Sequence, residues 1–164
     1  MWTESHPVRE SNLSEKSMSL EGLEQAGEIG SLAVGPNDIA GMMKKARRKL
    51  SDARSDEISA ETRLEQAYTV IFTCALIALR AMGYRILNMT AMHYLALETL
   101  RYTLGTNEKR IEYFQSLRTL RHRDIYAPDF TVELDDVDEA ISEAEALLEE
   151  TSEWLRLNYP HLIR

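Results

Sequence analysis

Apolar residues in this 164-residue chain recur at intervals of three and four over most of its length, the period of helices that bury one face. Ile39, Met42, Met43, Ala46, Leu50 and Ala53 form one such stripe, and Asn37 just before it is a good N-cap, so a first long helix is predicted after Asn37. In "SAETRLEQAYTVIFTCALIALRAMG" Ser59 can cap the start and Gly83 can close the end. The segment is apolar nearly all round from Tyr68 onward, which predicts a central buried helix at about 60–82. A third helix is expected over about 91–102, stopped near Gly105, and a fourth after Asn107. The fourth should end near Tyr126, because the residue before Pro128 is pushed out of helical conformation. A last helix begins around Asp135, with Val137, Ala140, Ile141, Ala144, Leu147, Leu148 and Leu155 inward and a run of glutamates on the other face, read as solvated surface. The stretch "SLEGLEQAGEIG" predicts a short helix ended by Gly27 or Gly30.

No strand pattern of any length and no internal repeat is visible. The expected fold class is therefore all-α, an antiparallel bundle of four to five helices with short connections. Residues 19–164 read as one helical domain, and 1–18 as a polar arm rich in Ser and Glu without apolar period.

Charge changes the picture at two places. The net charge of -8 argues against wholesale coating of nucleic acid, though not against a local basic site. Lys44, Lys45, Arg47, Arg48 and Lys49 read as the solvated face of the first long helix. The second place is "SLRTLRHRDIYAPDF", where Arg118, Arg121, His122 and Arg123 crowd together beside Asp124 and Tyr126. On a helix Arg118, His122 and Tyr126 fall at i, i+4 and i+8 along one face. The apolar stripe runs Phe114, Leu117, Arg121, Ile125, so Arg121 occupies a slot where periodicity asks for a hydrophobic residue. Two readings stand: an internal ion pair of Arg121 with Asp124, or a phosphate-facing cluster of Arg118, Arg121, His122 and Tyr126. Guanidinium groups offer a rigid donor fork suited to phosphate oxygens, and His and Tyr add hydrogen bonds or stacking.

The remaining chemistry is sparse. The one cysteine, Cys74, lies in an apolar run and reads as a core filler, which points to a reducing, cytoplasmic setting. The first residues lack the apolar centre of a signal peptide. The longest uncharged run, 66–79, falls short of the ~20 residues that span a bilayer, so no membrane association is expected. No HExxH, CxxC, P-loop or GxGxxG pattern occurs, so no metal or cofactor is expected.

The segments "ARRKLSDAR", "ETRLEQAYTVIFTCALIALRAMGYR", "MHYLALETLRYTLG", "LRTLRHRDIY" and "VDEAISEAEALLEETSEWL", in this order, resemble the HEPN (higher eukaryotes and prokaryotes nucleotide-binding) family over about 20–155. The resemblance implies a helical bundle that forms homodimers. In catalytic members the Arg and His of an R-x4-6-H motif meet their symmetry mates and cut RNA without metal, the 2′-hydroxyl attacking the adjacent phosphate. Such proteins are often toxins or defence components, many paired with a minimal nucleotidyltransferase antitoxin. Arg121 matches the motif Arg, His122 stands where Asn is usual, and Tyr126 stands at the motif His; His93 also matches a family position.

Tyr126 is the departure that matters. An unperturbed phenol with a pKa of about 10 is only ~0.1% ionised at neutral pH, so the motif suits holding phosphate better than cutting beside it. The functional expectation is an RNA- or nucleotide-binding protein of toxin–antitoxin or defence type, with weak metal-independent endoribonuclease activity at most. Phosphate contacts would come from Arg118, Arg121, His122 and Arg123, with Arg121 and Tyr126 at the reacting bond. The alternative is a non-catalytic helical module that binds a partner protein such as a nucleotidyltransferase. His93, on the apolar third helix, reads first as a satisfied core or dimer-contact residue.

Overall fold

A computed structural model describes residues 19–127, 129 and 131–163, with the backbone alone at 124–126. The expected arm at 1–18 lies outside the described residues. The elements run α1 (Leu20–Gln25), β1 (Ile29–Ser31), α2 (Pro36–Ala53), α3 (Ala60–Ala81), β2 (Tyr84–Ile86), a 3-10 turn (Met89–Ala91), α4 (Met92–Thr103), α5 (Glu108–Tyr126), α6 (Leu134–Asn158) and a last 3-10 turn (Pro160–Leu162). The protein is mostly helical, as its apolar periodicity predicts.

Helix ends follow local chemistry. Ser59 Oγ accepts from the Thr62 amide at 3.2 Å and starts α3, and Asn107 Oδ1 accepts from the Arg110 amide at 2.9 Å and starts α5. Gly83 ends α3 with φ +89°, a left-handed conformation that a side chain resists. Gly105 does the same after α4 with φ +69°. The start of α2 departs from expectation. Gly35 is the capping residue and Pro36 opens the helix, so Asn37 already lies inside it. Proline suits a first-turn position because its missing amide would be unsatisfied there anyway, and Asp38 Oδ2 accepts from the Gly35 amide at 3.2 Å.

The two three-residue strands are a second departure. They pair antiparallel with Ile29 opposite Ile86 and Ser31 opposite Tyr84. Three residues are too few to show an alternating pattern. The ribbon is held in place by Ile29 and Ile86, both buried, and by Glu28, whose carboxylate accepts from Asn88 Nδ2 at 2.7 Å.

α3 is the centre. It packs against α2, α4, α5 and α6, and most extensively against α2 and α6. Its length and composition are those of a membrane span, but 67% of that stretch is buried within the protein, as in a core helix. Ile71, Cys74, Ile77 and Ala78 are wholly enclosed, and the Cys74 thiol is pushed up to about 12, chiefly by burial, which leaves it protonated and inert. The α2 stripe is buried through Ile39, Met43, Ala46, Leu50 and Ala53, with Met42 at its edge. Lys44, Lys45, Arg47 and Arg48 are exposed, and Lys49 is half-buried.

Part of the glutamate face of α6 is not simply solvated. Arg110 on α5 donates through Nε to Glu143 at 3.2 Å and through both outer nitrogens to Glu150 at 2.7 and 2.5 Å. These bonds tie α5 to α6 alongside the buried Phe114 and Leu117. The opposite side of α5, with Lys109, Glu112, Ser116, Thr119 and Arg123, is exposed.

Candidate phosphate-binding site

The basic stretch forms the last two turns of α5. Leu117 is buried, and Arg121, four residues on, continues toward the same interior as a half-buried side chain. It does so because it meets an aromatic ring: the Arg121 guanidinium carbon sits 5.6 Å from the centre of Tyr68 on α3. This cation–π distance lets an arginine fill an apolar slot without being stranded. Its described carboxylate neighbour is Glu65 on α3, with Nε 3.9 Å from Oε1. The expected partner Asp124 has a side chain outside the described residues.

Arg118 is placed the same way one turn earlier. Its guanidinium lies 5.6 Å from the centre of Tyr94 on α4, and its Nε donates to Gln115 Oε1 at 2.7 Å. Gln115 is itself anchored, donating to the Tyr94 carbonyl and to Glu98, both at 3.0 Å. The amide group thus orients Arg118 against α4. Among the described residues, the outer nitrogens of Arg118 and Arg121 have no hydrogen-bond or carboxylate partner. Two guanidinium groups therefore lie one turn apart, each against an aromatic ring, with donors left over.

His93 on α4 completes the cluster. Its ring stacks on Phe72 at 4.1 Å between centroids, and its Nδ1 is 3.0 Å from the Tyr68 hydroxyl. Tyr68 is thus shared: one face supports Arg121 and its hydroxyl holds His93. Burial pushes the Tyr68 phenol up to about 12, against the opposing pull of Arg121 and Arg118. A protonated, buried hydroxyl needs an acceptor, and Nδ1 is its described one, so Tyr68 donates to His93. In neutral imidazole the proton then resides on Nε2. Burial, and after it Arg121 and Arg118, lower the His93 pKa below the ordinary range, which keeps the ring neutral.

That shift has a stability consequence. Between the lowered native value and the unfolded value of about 6.5, the unfolded chain binds a proton that the native chain does not. Stability is fully present above about pH 6.5 and falls as the solution is acidified through that value. Thermal denaturation between pH 5 and 8 should show this loss, and His93→Gln should flatten it; an unchanged profile in the variant would assign the loss elsewhere.

The remaining expected site residues are distributed differently. His122 and Arg123 are exposed, whereas Arg118 and Arg121 are half-buried. The Tyr126 side chain lies outside the described residues. Tyr68, Phe72, Tyr94, Gln115 and Glu65 enter the site without having been singled out in the sequence. Among the described residues, no group of three or more His, Cys, Asp or Glu side chains is arranged to hold a metal ion. A scan against protein-family models, a search of curated proteins and a search of solved structures each returned no match.

Proposed function

We propose that the protein binds RNA or a nucleotide through Arg118 and Arg121, as a HEPN-like antiparallel bundle of toxin–antitoxin or defence type acting in the cytoplasm as a homodimer. The observation that carries this reading is the pair of guanidinium groups held one turn apart over Tyr68 and Tyr94 with outer donors to spare. Guanidinium forks suit phosphate oxygens, and of the two rings beneath them Tyr94 is partly exposed whereas Tyr68 is buried and serves as support. In a chain of net charge -8, a local arrangement of this kind favours a short phosphate-bearing ligand over a long duplex. His122 and Arg123, exposed on the same helix, supply outer contacts.

A second reading is favoured by one feature: Arg121 also faces Glu65 and packs on Tyr68, as a structural arginine does. Under it the bundle is a non-catalytic module that binds a partner protein such as a nucleotidyltransferase.

Fluorescence anisotropy with a labelled single-stranded RNA of five nucleotides, combined with sedimentation, separates the two. Binding should weaken with salt at a log–log slope of about -1.4 or steeper, Arg118 and Arg121 accounting for about -1.4 of it, and the protein should sediment as a dimer. Absence of binding at millimolar RNA, with sedimentation of an 18.8 kDa monomer, would remove this reading.

A further inference from the structure

We propose that His93 completes a phosphate site with Arg118 and Arg121, offering its Nε2–H as a third donor in a tautomer set by Tyr68. The inference deepens the RNA- or nucleotide-binding reading and rests on phosphate docking at the two arginines. Arg121 and His93 share Tyr68, whose ring lies 5.6 Å from the guanidinium carbon and whose hydroxyl lies 3.0 Å from Nδ1. They are therefore neighbours although they come from different helices. The Phe72 ring, 4.1 Å away and nearly parallel at 12°, fixes the imidazole plane. Among the described residues, Nε2 has no hydrogen-bond partner, and the residue is half-buried and not fully enclosed.

The Tyr68 bond decides what His93 can do. With Nδ1 occupied as an acceptor, the neutral ring is a donor at Nε2 and has no free lone pair there. It suits holding a phosphate oxygen, as an arginine does, and not taking a proton from a 2′-hydroxyl. Taking up a proton at Nδ1 would turn the Tyr68 hydroxyl into an acceptor and leave its own hydrogen unpaired in a buried place. Tyr68 is in this sense a positioning residue and His93 a ligand contact.

The test uses the full chain with two probes, a five-nucleotide single-stranded RNA and a nucleoside 5′-monophosphate, to distinguish an internal phosphodiester from a terminal phosphate. Nitrogen-15 imidazole spectra of the free protein should show His93 neutral with the proton on Nε2, and the Nε2–H signal should move on addition of whichever probe binds. His93→Phe should weaken binding of that probe about tenfold. His93→Gln, whose amide nitrogen can stand near Nε2, should retain most of it. Tyr68→Phe should convert the spectrum to mixed tautomers and cost a few-fold in affinity at a preserved fold. A proton on Nδ1 in the free protein, or probe binding that leaves the Nε2–H signal unmoved, overturns the proposal. Binding that is lost in Arg121→Ala but unchanged in His93→Phe overturns this inference alone. If neither probe binds wild type at millimolar concentration, both this and the underlying reading fall.

Discussion

Replacing Arg118 and Arg121 together by alanine is expected to lower affinity for short single-stranded RNA by about a hundredfold or more, while the melting temperature falls by no more than about 12 °C. The asymmetry comes from where each arginine spends its interactions. Against the fold, each contributes one cation–π contact of about 0.5–1 kcal/mol at a partly exposed site, and Arg118 adds one hydrogen bond to Gln115 of about 1 kcal/mol. The Glu65 contact, at 3.9 Å and partly solvated, adds little. Against a phosphate, each guanidinium makes charge-assisted bonds worth about 1.5–3 kcal/mol, so two of them account for at least about 3 kcal/mol. The salt slope of binding should shrink by about 1.4 in the same variant. The opposite pattern, a large fall in melting temperature with unchanged RNA affinity, assigns both arginines to the fold and favours the interaction module.

Converting Tyr126 to histidine is expected to raise RNA cleavage on the order of 10²-fold, with a pH optimum near 7. Tyr126 follows the basic stretch at the end of α5, at the position that resembles the histidine of an R-x4-6-H motif. A phenol is almost wholly protonated at neutral pH and cannot readily take a proton from a 2′-hydroxyl, whereas imidazole titrates there. His93 does not supply the missing base, because its Nδ1 is engaged by Tyr68. Wild type should therefore cut weakly at most. Tyr126→Phe should change cutting little, and EDTA should change neither wild type nor Tyr126→His. Brisk cleavage by wild type that Tyr126→Phe abolishes would make the phenol itself catalytic and contradict this assignment.

The helices were legible because their ends are written locally. Ser59 and Gly83 bracket α3 within one residue of the expected 60–82, and Asn107 starts α5. Asn37 misled because Pro36 precedes it: Pro36 suits the first turn of a helix, which moves the cap back to Gly35. The β1–β2 ribbon was illegible because its pairing joins residues 29–31 to 84–86, and neither strand is long enough to carry a period.

The site was half legible. Arg121 announced itself as a charge in an apolar register, which is a local signal. What resolves that charge is not local: the Tyr68 ring and Glu65 lie more than fifty residues earlier. His93 and Tyr68 are likewise 25 residues apart and meet only when α4 packs on α3. Spacing along α5 alone grouped Arg118 with His122, whereas packing groups Arg118 with Tyr94 and leaves His122 exposed.

RNA or a nucleotide is proposed to dock where α3, α4 and α5 meet, and not on the exposed basic face of α2 formed by Lys44, Lys45, Arg47 and Arg48. Backbone amide and side-chain NMR shifts recorded during titration with a five-nucleotide single-stranded RNA locate the contact directly. The largest changes should fall on Tyr68, His93, Tyr94, Gln115, Arg118 and Arg121. Changes confined to 44–49 on α2, with those six residues unmoved, would contradict it.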